Sequence, residues 1–321
     1  MKQKRLTKPT KQRLLSIVIP IYNEAETIPI LYEQLTQVCE RLPLAYEIIF
    51  VNDGSQDHSL TLLKELSNND NRIRIIDLAR NFGHQVAISA GIDHTAGDVV
   101  VLMDGDLQDP PEMISTFIKR WNEGFEVVYA VRKKRKESLL KRIAYLVFYR
   151  ILRKISSVEI PLDSGDFSLM DRRVVNTLRA MPERNRFIRG IRSWVGFHQC
   201  GVEYERNKRY AGEVKYTFSK LLRLATDGIF AFSYLPLRVA TYLGLTVAAT
   251  SFLLAVFYLI EKIFSNIDTK GWASTIIIIL FLGGVQLLTI GIMGEYVGRI
   301  YDEVKQRPLY VVNEKIGWMK K

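Results

Sequence analysis

Two uncharged stretches, Val239 to Ile260 and Trp272 to Gly294, place the first limit on what this chain can fold into. Each has the roughly 20 apolar residues that a helix needs to cross a ~30 Å hydrocarbon core. Neither carries the polar stripe that a helix on the outside of a soluble core requires. Two membrane spans are therefore expected, and everything soluble must be built from the residues outside them. The sequence divides into a basic tail at 1–14, a globular domain at 15–216 and a juxtamembrane helix at 217–234. Spans at 235–260 and 272–296 flank a short outside loop at 261–271, and a tail at 297–321 follows.

Charge orients these pieces. The loop between the spans is near-neutral, with Glu261 and Asp268 against Lys262 and Lys270, whereas both outer flanks are rich in Lys and Arg. By the positive-inside rule an integral membrane protein is expected, with its globular domain and both termini in the cytoplasm. No apolar signal-peptide core follows the basic first residues before Pro20. Cys39 and Cys200 lack metal-ligand spacing and suit a reducing compartment. The net charge of +11 fits an anionic membrane surface or phosphate-bearing substrates, and makes nucleic acid the poorer partner for a membrane-anchored chain.

Inside the globular domain, short apolar runs alternate with helical patterns. Strands are expected at Leu15 to Ile21, Tyr46 to Val51, Arg72 to Leu78, Asp98 to Met103 and Glu126 to Arg132. Helical spacing marks Glu26 to Arg41, the segment carrying Leu60, Leu63 and Leu66, and Gly83 to His94. Such alternation specifies a doubly wound α/β sheet, Rossmann-like in architecture. Three strands end in polar groups: Tyr22, Asn23 and Glu24; Asn52 and Asp53; Asp104 and Asp106. Open α/β sheets bind their ligands at that carboxyl edge. No GxGxxG follows the first strand and no Walker A pattern occurs, so an acidic edge gripping phosphate through a metal is the better expectation.

The stretch Asp104-Gly105-Asp106 has the spacing for that task. Side chains two apart on an extended chain point the same way, so both carboxylates can reach one hard cation such as Mg²⁺ or Mn²⁺. A solvated acidic turn is the competing reading, since Asp-Gly and Pro-Pro are turn signals themselves. Asp53 can accept from a base imide or a ribose hydroxyl, or form an Asx-turn that caps the following helix.

The segments SIVIPIYNEAE, FVNDGSQD, ARNFGHQVAISAGID and VLMDGDLQDPPE resemble the family 2 glycosyltransferases with a GT-A fold. Among these the resemblance is to polyprenyl-phosphate glycosyltransferases, and it covers most of Leu15 to Tyr216 with the two spans behind it. Gly105 stands where that family commonly has Ala, which leaves both aspartates in place. The resemblance implies that Pro20, Tyr22, Glu24, Asp53 and Asp104 contact the nucleotide. It implies that Asp104 and Asp106 hold Mg²⁺ or Mn²⁺ on the diphosphate with Gln108 as a further ligand, and that Asp166 joins both aspartates in catalysis. The implied reaction inverts the anomeric centre while moving a sugar from a nucleoside diphosphate to a polyisoprenyl phosphate. UDP-glucose is the favoured donor, with GDP-mannose or an aminoarabinose donor as alternatives. A processive polysaccharide synthase would carry a Gln-x-x-Arg-Trp motif and more spans, both absent from the sequence. A non-catalytic membrane anchor is the alternative of another class, and a homo-oligomer is left open.

The acceptor side is read from basic segments. Residues 137–156 form a basic amphipathic pattern, read either as an interface helix or as a helix packed on the sheet. Asp163 to Met170 and Arg206 to Tyr216 both resemble the family's acceptor region, and Arg206, Lys208, Arg209 and Lys215 are assigned to the acceptor phosphate. Arg184, Arg186, Arg189 and Arg192 recur at helical spacing, for which a solvated helix face is favoured slightly over phosphate contact.

Overall fold

The strands β1 (Leu14–Ile21), β2 (Ala45–Asn52), β3 (Ile73–Leu78) and β4 (Val99–Leu102) form the parallel centre of an eight-stranded sheet. A computed structural model describes residues 13–133, 164–181, 183–184, 186–205, 235–264 and 271–318. The segments 137–156 and 217–234, and with them Arg206, Lys208, Arg209 and Lys215, lie outside the described residues. The chain divides into two units, an α/β unit that includes residues 307–321 and a helical unit containing 217–306.

Side-chain alternation explains why the sheet is covered on both faces. Leu15, Ile17, Ile19 and Ile21 of β1 pack with Ile48 and Phe50 of β2 beneath α1 (Ile28–Cys39), α2 (Ser59–Asn69) and α4 (Met113–Asn122). Val18, Ile49 and Val51 point the other way, toward α3 (His84–His94), α5 (Arg172–Ala180) and α6 (Ile188–Trp194). Both faces are apolar because both are buried, the signature of a central parallel strand. Gly91 lets α3 lie directly on the sheet: a Cβ there would collide with Val18 Cγ1 and come within 3.1 Å of Val51 Cγ2.

The full order is β7-β5-β6-β4-β1-β2-β3-β8. Strand β6 (Ser164–Asp171) runs antiparallel to both β4 and β5 (Val127–Arg132), and β7 (Gln199–Tyr204) pairs parallel to β5. This mixed α/β sheet is the architecture that the GT-A resemblance implied. The segment read as part of an acceptor region thus becomes, from Ser164 onward, a strand with every residue buried. Its polar residues conceal it: Ser164, Asp166 and Ser168 alternate with Gly165, Phe167 and Leu169, Asp171 closes the strand, and none of the polar positions faces open solvent.

The tail differs from the expected boundary. The second apolar helix continues to Val304, and β8 (Val312–Ile316) then pairs antiparallel with β3. Tyr310 Oη donates to Asp93 at 3.0 Å, Trp318 sits edge-on to His94 at 5.9 Å, and the Arg74 guanidinium lies 4.6 Å above the Trp318 ring. Ile316 packs against the core under the α1 face. The globular unit is therefore not closed at 216 but takes its last strand from beyond the second helix. VNEKI has too little apolar alternation to announce a strand by itself; pairing with an existing edge supplies what its pattern lacks.

In the helical unit, α7 (Leu235–Phe264) and α8 (Trp272–Val304) contain the apolar stretches. Leu235–Phe257 has mean hydropathy 1.8 and is only 6% buried, unlike the core helix of a soluble protein, which is mostly buried. Phe281–Val304 has mean hydropathy 1.2 with none of it buried. Tyr242, Leu245, Phe252 and Leu253 are each about two-thirds exposed, a surface that hydrocarbon rather than water would cover. The hydroxyls of Thr241, Thr246, Thr250 and Thr289 each donate to the carbonyl four residues earlier, so none needs an outside partner.

Candidate active site

Parallel pairing puts several polar strand ends at one level. Ile21 is in register with Asn52, and Asn52 with Asp77, while the Met103 amide donates to Val18 O and carries the chain out to Asp104. The loops leaving β1 and β2 are stitched together: Asn23 Oδ1 accepts from Gln56 N–H at 2.7 Å, and the Asn23 and Glu24 amides donate to Ser55 and Ser59 hydroxyls. Asn23 takes a positive φ of 54°, which Asn tolerates better than most residues. Pro20 is buried in β1, whereas Tyr22 projects from the edge with 43% of its surface exposed.

The carboxylate turn is held from both sides. Thr27 Oγ1 donates to Gly105 O at 2.9 Å, tying the start of α1 to the turn. A Cβ on Gly105 would approach Ile21 Cδ1 to 2.7 Å and Pro20 O to 3.2 Å, so the glycine lets the turn sit against β1. Leu107 has φ 60°, a conformation that costs a non-glycine residue about 1–2 kcal/mol and is retained here with the side chain in the core. Gln108 N–H donates to Asp106 Oδ1 at 3.1 Å. Asp109 turns inward, where Tyr204 Oη donates to it at 2.6 Å. The turn therefore separates its acids: Asp104 and Asp106 remain half-buried at the edge, and Asp109 anchors β7.

Asp53 takes a role close to the capping alternative, but on a different helix. Its carboxylate accepts from Phe82 N–H at 2.7 Å and Gly83 N–H at 3.0 Å, which fixes the N-terminus of α3 rather than that of α2. Burial raises its pKa, and the two amides only partly oppose that.

The centre of the site is Asp166, on β6. Arg189 Nε donates to its Oδ1 at 3.0 Å, and Gln85 Nε2 donates to its Oδ2 at 3.0 Å. His84 Nε2 lies 3.5 Å from Asp166 Oδ2 and 3.4 Å from Asp104 Oδ1, bridging β6 to the carboxylate turn. Burial alone would raise the Asp166 pKa; Arg189 and His84 overturn that and hold it well below the usual carboxylate range. For His84 burial would lower the pKa, but Asp166 and Asp104 push it to about 9. Its side chain is 46% exposed at the edge.

Arg189 and Arg192 are thus not part of a solvated face. Arg192 is fully buried, donates to Gly165 O at 3.4 Å and lies 5.3 Å from the Tyr129 ring centre. Burial pulls its pKa down to about 10, against the attraction of Asp166. Helical spacing pointed outward, yet α6 is a seven-residue helix with Ile188, Gly190 and Ile191 buried as well. An arginine set among apolar neighbours in so short a helix was the available signal. Arg184 and Arg186 instead bind backbone carbonyls, of Arg307 and of Glu183 and Met181 respectively. His84 and Gln85 had no assigned role, although they open the helix that follows β3. Gln85 also accepts from Ile188 N–H at 2.9 Å, locking α3 to α6.

An open cleft of about 400 Å³ lies between the ends of β1, β2 and β3, with Tyr22, Gly54, Asp77, Arg80 and Asn313 among its walls. A half-open polar cleft at a sheet's carboxyl edge can hold a phosphorylated ligand.

Comparison with known proteins agrees with this arrangement. Residues 16–179 match the model of glycosyl transferase family 2, and residues 235–300 match the GtrB C-terminal hairpin. An uncharacterized glycosyltransferase of Bacillus subtilis, YkcC, is 49% identical over 94% of this chain and 94% of its own. A bactoprenol glucosyl transferase of Shigella phage SfX is 44% identical over 94% of this chain and 99% of its own. A prophage bactoprenol glucosyl transferase homolog of Escherichia coli is 42% identical, covering 93% of this chain and 98% of that one. With half its length matched by the family model and relatives of this identity along nearly all of it, the chain belongs to glycosyl transferase family 2.

Proposed function

We propose that this enzyme transfers glucose from UDP-glucose to the phosphate of a polyisoprenyl lipid at the cytoplasmic face of a membrane, inverting the anomeric centre. The observation that carries this reading is the union, in one chain, of an acidic strand edge with an apolar hairpin, supported by relatives named for bactoprenol glucosyl transfer that match 93–94% of the chain. A lipid acceptor gives the hairpin a purpose that a soluble acceptor would not. The return of residues 312–316 to the sheet supports a single side of the membrane for the globular unit and the tail, since two spans bring the chain back where it began.

Asp104 and Asp106 fit a hard divalent cation, Mg²⁺ or Mn²⁺. Both offer oxygen donors at the edge, and among the described residues no set of three His, Cys, Asp or Glu side chains forms a self-sufficient cage. Mg²⁺-type sites take one or two carboxylates and complete their shell with substrate phosphates and water. Gln108, whose N–H donates to Asp106 Oδ1, is assigned as a further ligand. When bound, the ion neutralises charge on the departing diphosphate.

The chain's own residues handle the rest of the charge. The acceptor oxygen is already anionic at neutral pH, because a phosphate monoester's second pKa is about 6. A strong general base is not needed, and Asp166, held as a weak base by Arg189 and His84, would be a poor one. Its role is to orient those two cations. The barrier to overcome is repulsion between two anionic substrates, roughly 3 kcal/mol for each like-charge pair at ~5 Å and an effective dielectric of ~20. His84 and Arg189 supply fixed positive charge against it, and Arg206, Lys208, Arg209 and Lys215 are assigned to the acceptor phosphate. Such preorganised charge is where enzymes of this kind gain most of their rate.

The direct test is incubation of the purified full chain with UDP-glucose, GDP-mannose and other nucleotide sugars, each with undecaprenyl phosphate. Lipid-linked glucose from UDP-glucose is expected; product only from another donor overturns the sugar, and no lipid-linked product overturns the reaction. Asp104→Asn and Asp106→Asn should each abolish transfer while remaining folded and membrane-bound.

Asp166 has a folded pKa below its unfolded value of about 3.9, so its stabilisation is present above that pH and is lost as pH falls through the folded pKa. Asp166→Asn should therefore cost about 2–3 kcal/mol at pH 7, less than a fully buried pair because the Arg189 side chain is 32% exposed. Thermal melts should show the gap between variant and parent narrowing below pH ~4; a gap constant with pH would contradict the ion cluster.

Topology is read by thiol labelling in intact cells. Cys39 is buried, with its pKa pushed up to about 12, and makes a quiet background, while Cys200 is half-buried with a raised pKa. Ser265→Cys should label from outside, and Lys320→Cys only after permeabilisation; the reverse pattern contradicts the orientation.

A further inference from the structure

Within the α/β unit, strand β8 reaches the cleft through one residue. The β3–β8 ladder pairs Asp77 with Glu314 and Leu78 with Val312, and Ala79 N–H continues it to Val311 O at 2.9 Å. Asn313 is the extra residue where the register shifts. A bulge of this kind re-aims a side chain beside a functional site. Here Asn313 Nδ2 donates to Asp77 Oδ2 at 2.8 Å, while Asn52 Nδ2 donates to Asp77 Oδ1 at 2.7 Å. Asn52 is itself fixed, accepting from Ser55 N–H at 3.3 Å. One carboxylate is thus clamped between two amides, one from β2 and one from the tail, with only 5% of Asp77 exposed.

The contrast with Asp53 gives the clamp its meaning. Both Asp53 oxygens are engaged by the Phe82 and Gly83 amides, and Asp53 is not among the cleft's walls. Asp77 and Asn313 are, with the half-exposed Tyr22 ring also lining the cleft. An ionised carboxylate is an acceptor with about four lone-pair sites, so two amide donors leave Asp77 capacity for one more donor. An aromatic ring on which a base can stack, together with an acceptor for its imide N–H, is the chemistry that recognises a uracil-type base.

We propose that Asp77, clamped by Asn52 and Asn313, is the group that accepts the imide N–H of the donor's base, and that Asn313 is a positioning residue through which the C-terminal tail completes the nucleotide cleft. This rests on the donor reading above and adds a base preference: a base with an imide N–H binds, and one presenting a bare acceptor at that position, as cytosine does, meets the carboxylate unfavourably. It also makes the segment beyond the second apolar helix part of the donor site.

The test uses the full chain in detergent or nanodiscs, with UDP and CDP as probes in the presence of Mn²⁺. Calorimetry should show the parent binding UDP more tightly than CDP. Asn313→Leu, close in size but without the amide, should weaken UDP roughly tenfold, as loss of a hydrogen bond to a charged group does, and shrink the preference over CDP. Its KM for UDP-glucose should rise while its KM for undecaprenyl phosphate and its kcat stay within about twofold; Asn313→Gln should recover part of the loss. Lys64→Ala, which removes the Lys64–Glu314 ion pair (2.8 Å) that also anchors β8, controls for loosening of the strand and should leave both affinities unchanged. If Asn313→Leu keeps the parent's UDP affinity and preference, or if Lys64→Ala reproduces its losses, the positioning role is overturned while the donor reading stands. A parent chain that binds no nucleoside diphosphate would overturn both.

Discussion

A parallel sheet sends the carboxyl end of every strand to one edge, and the chemistry of this molecule depends on that constraint. Strands β1 to β4 are fixed in register by a backbone ladder and by apolar side chains on both faces. No strand can slip by a residue without turning its core residues to the opposite face. The polar residues that follow are therefore delivered to one edge with little freedom, which is why groups as distant in sequence as Tyr22, Asp77 and Asn313 line one cleft. Asp104 meets its partners by the same logic, emerging from β4 beside β6, whose Asp166 faces His84 of α3.

The site holds its charges in pairs rather than singly. An isolated buried carboxylate would neutralise itself, and an isolated buried guanidinium would be costly. Asp166 keeps its charge because Arg189, Gln85 and His84 surround it, and Arg192, which donates to Gly165 O, feels the attraction of the same carboxylate while burial pulls its pKa down. Two anionic substrates approaching such a site meet cations whose orientation has been set during folding. That arrangement favours electrostatic stabilisation over proton transfer, in keeping with an acceptor that is already ionised.

The sequence was legible where periodicity and burial agree. The first four strands, the early helices and both apolar helices follow directly from uninterrupted apolar runs and from spacing. Legibility failed where polar residues are buried by partners distant in the chain. β6 reads as a polar segment because Asp166 is satisfied by Gln85, His84 and Arg189 from elsewhere in the chain, while Ser168 donates to Asp166 O within the strand itself. Arg189 and Arg192 resemble a solvated face for the same reason. β8 is a weak strand alone and exists because β3 offers an unpaired edge and α2 a lysine for Glu314. Asp53 lies at the carboxyl edge, yet its partners are the Phe82 and Gly83 amides of the loop entering α3, a relation that only the folded sheet creates.

Asp104 and Asp106 are proposed to hold a divalent cation that would neutralise the donor's diphosphate, and the most direct measurement is the affinity of UDP for the wild-type chain with and without Mn²⁺. The account predicts that Mn²⁺ tightens UDP binding by at least tenfold, about 1.4 kcal/mol, and that the free base and nucleoside show no such dependence. Equal UDP affinity in the presence and absence of the ion would contradict it.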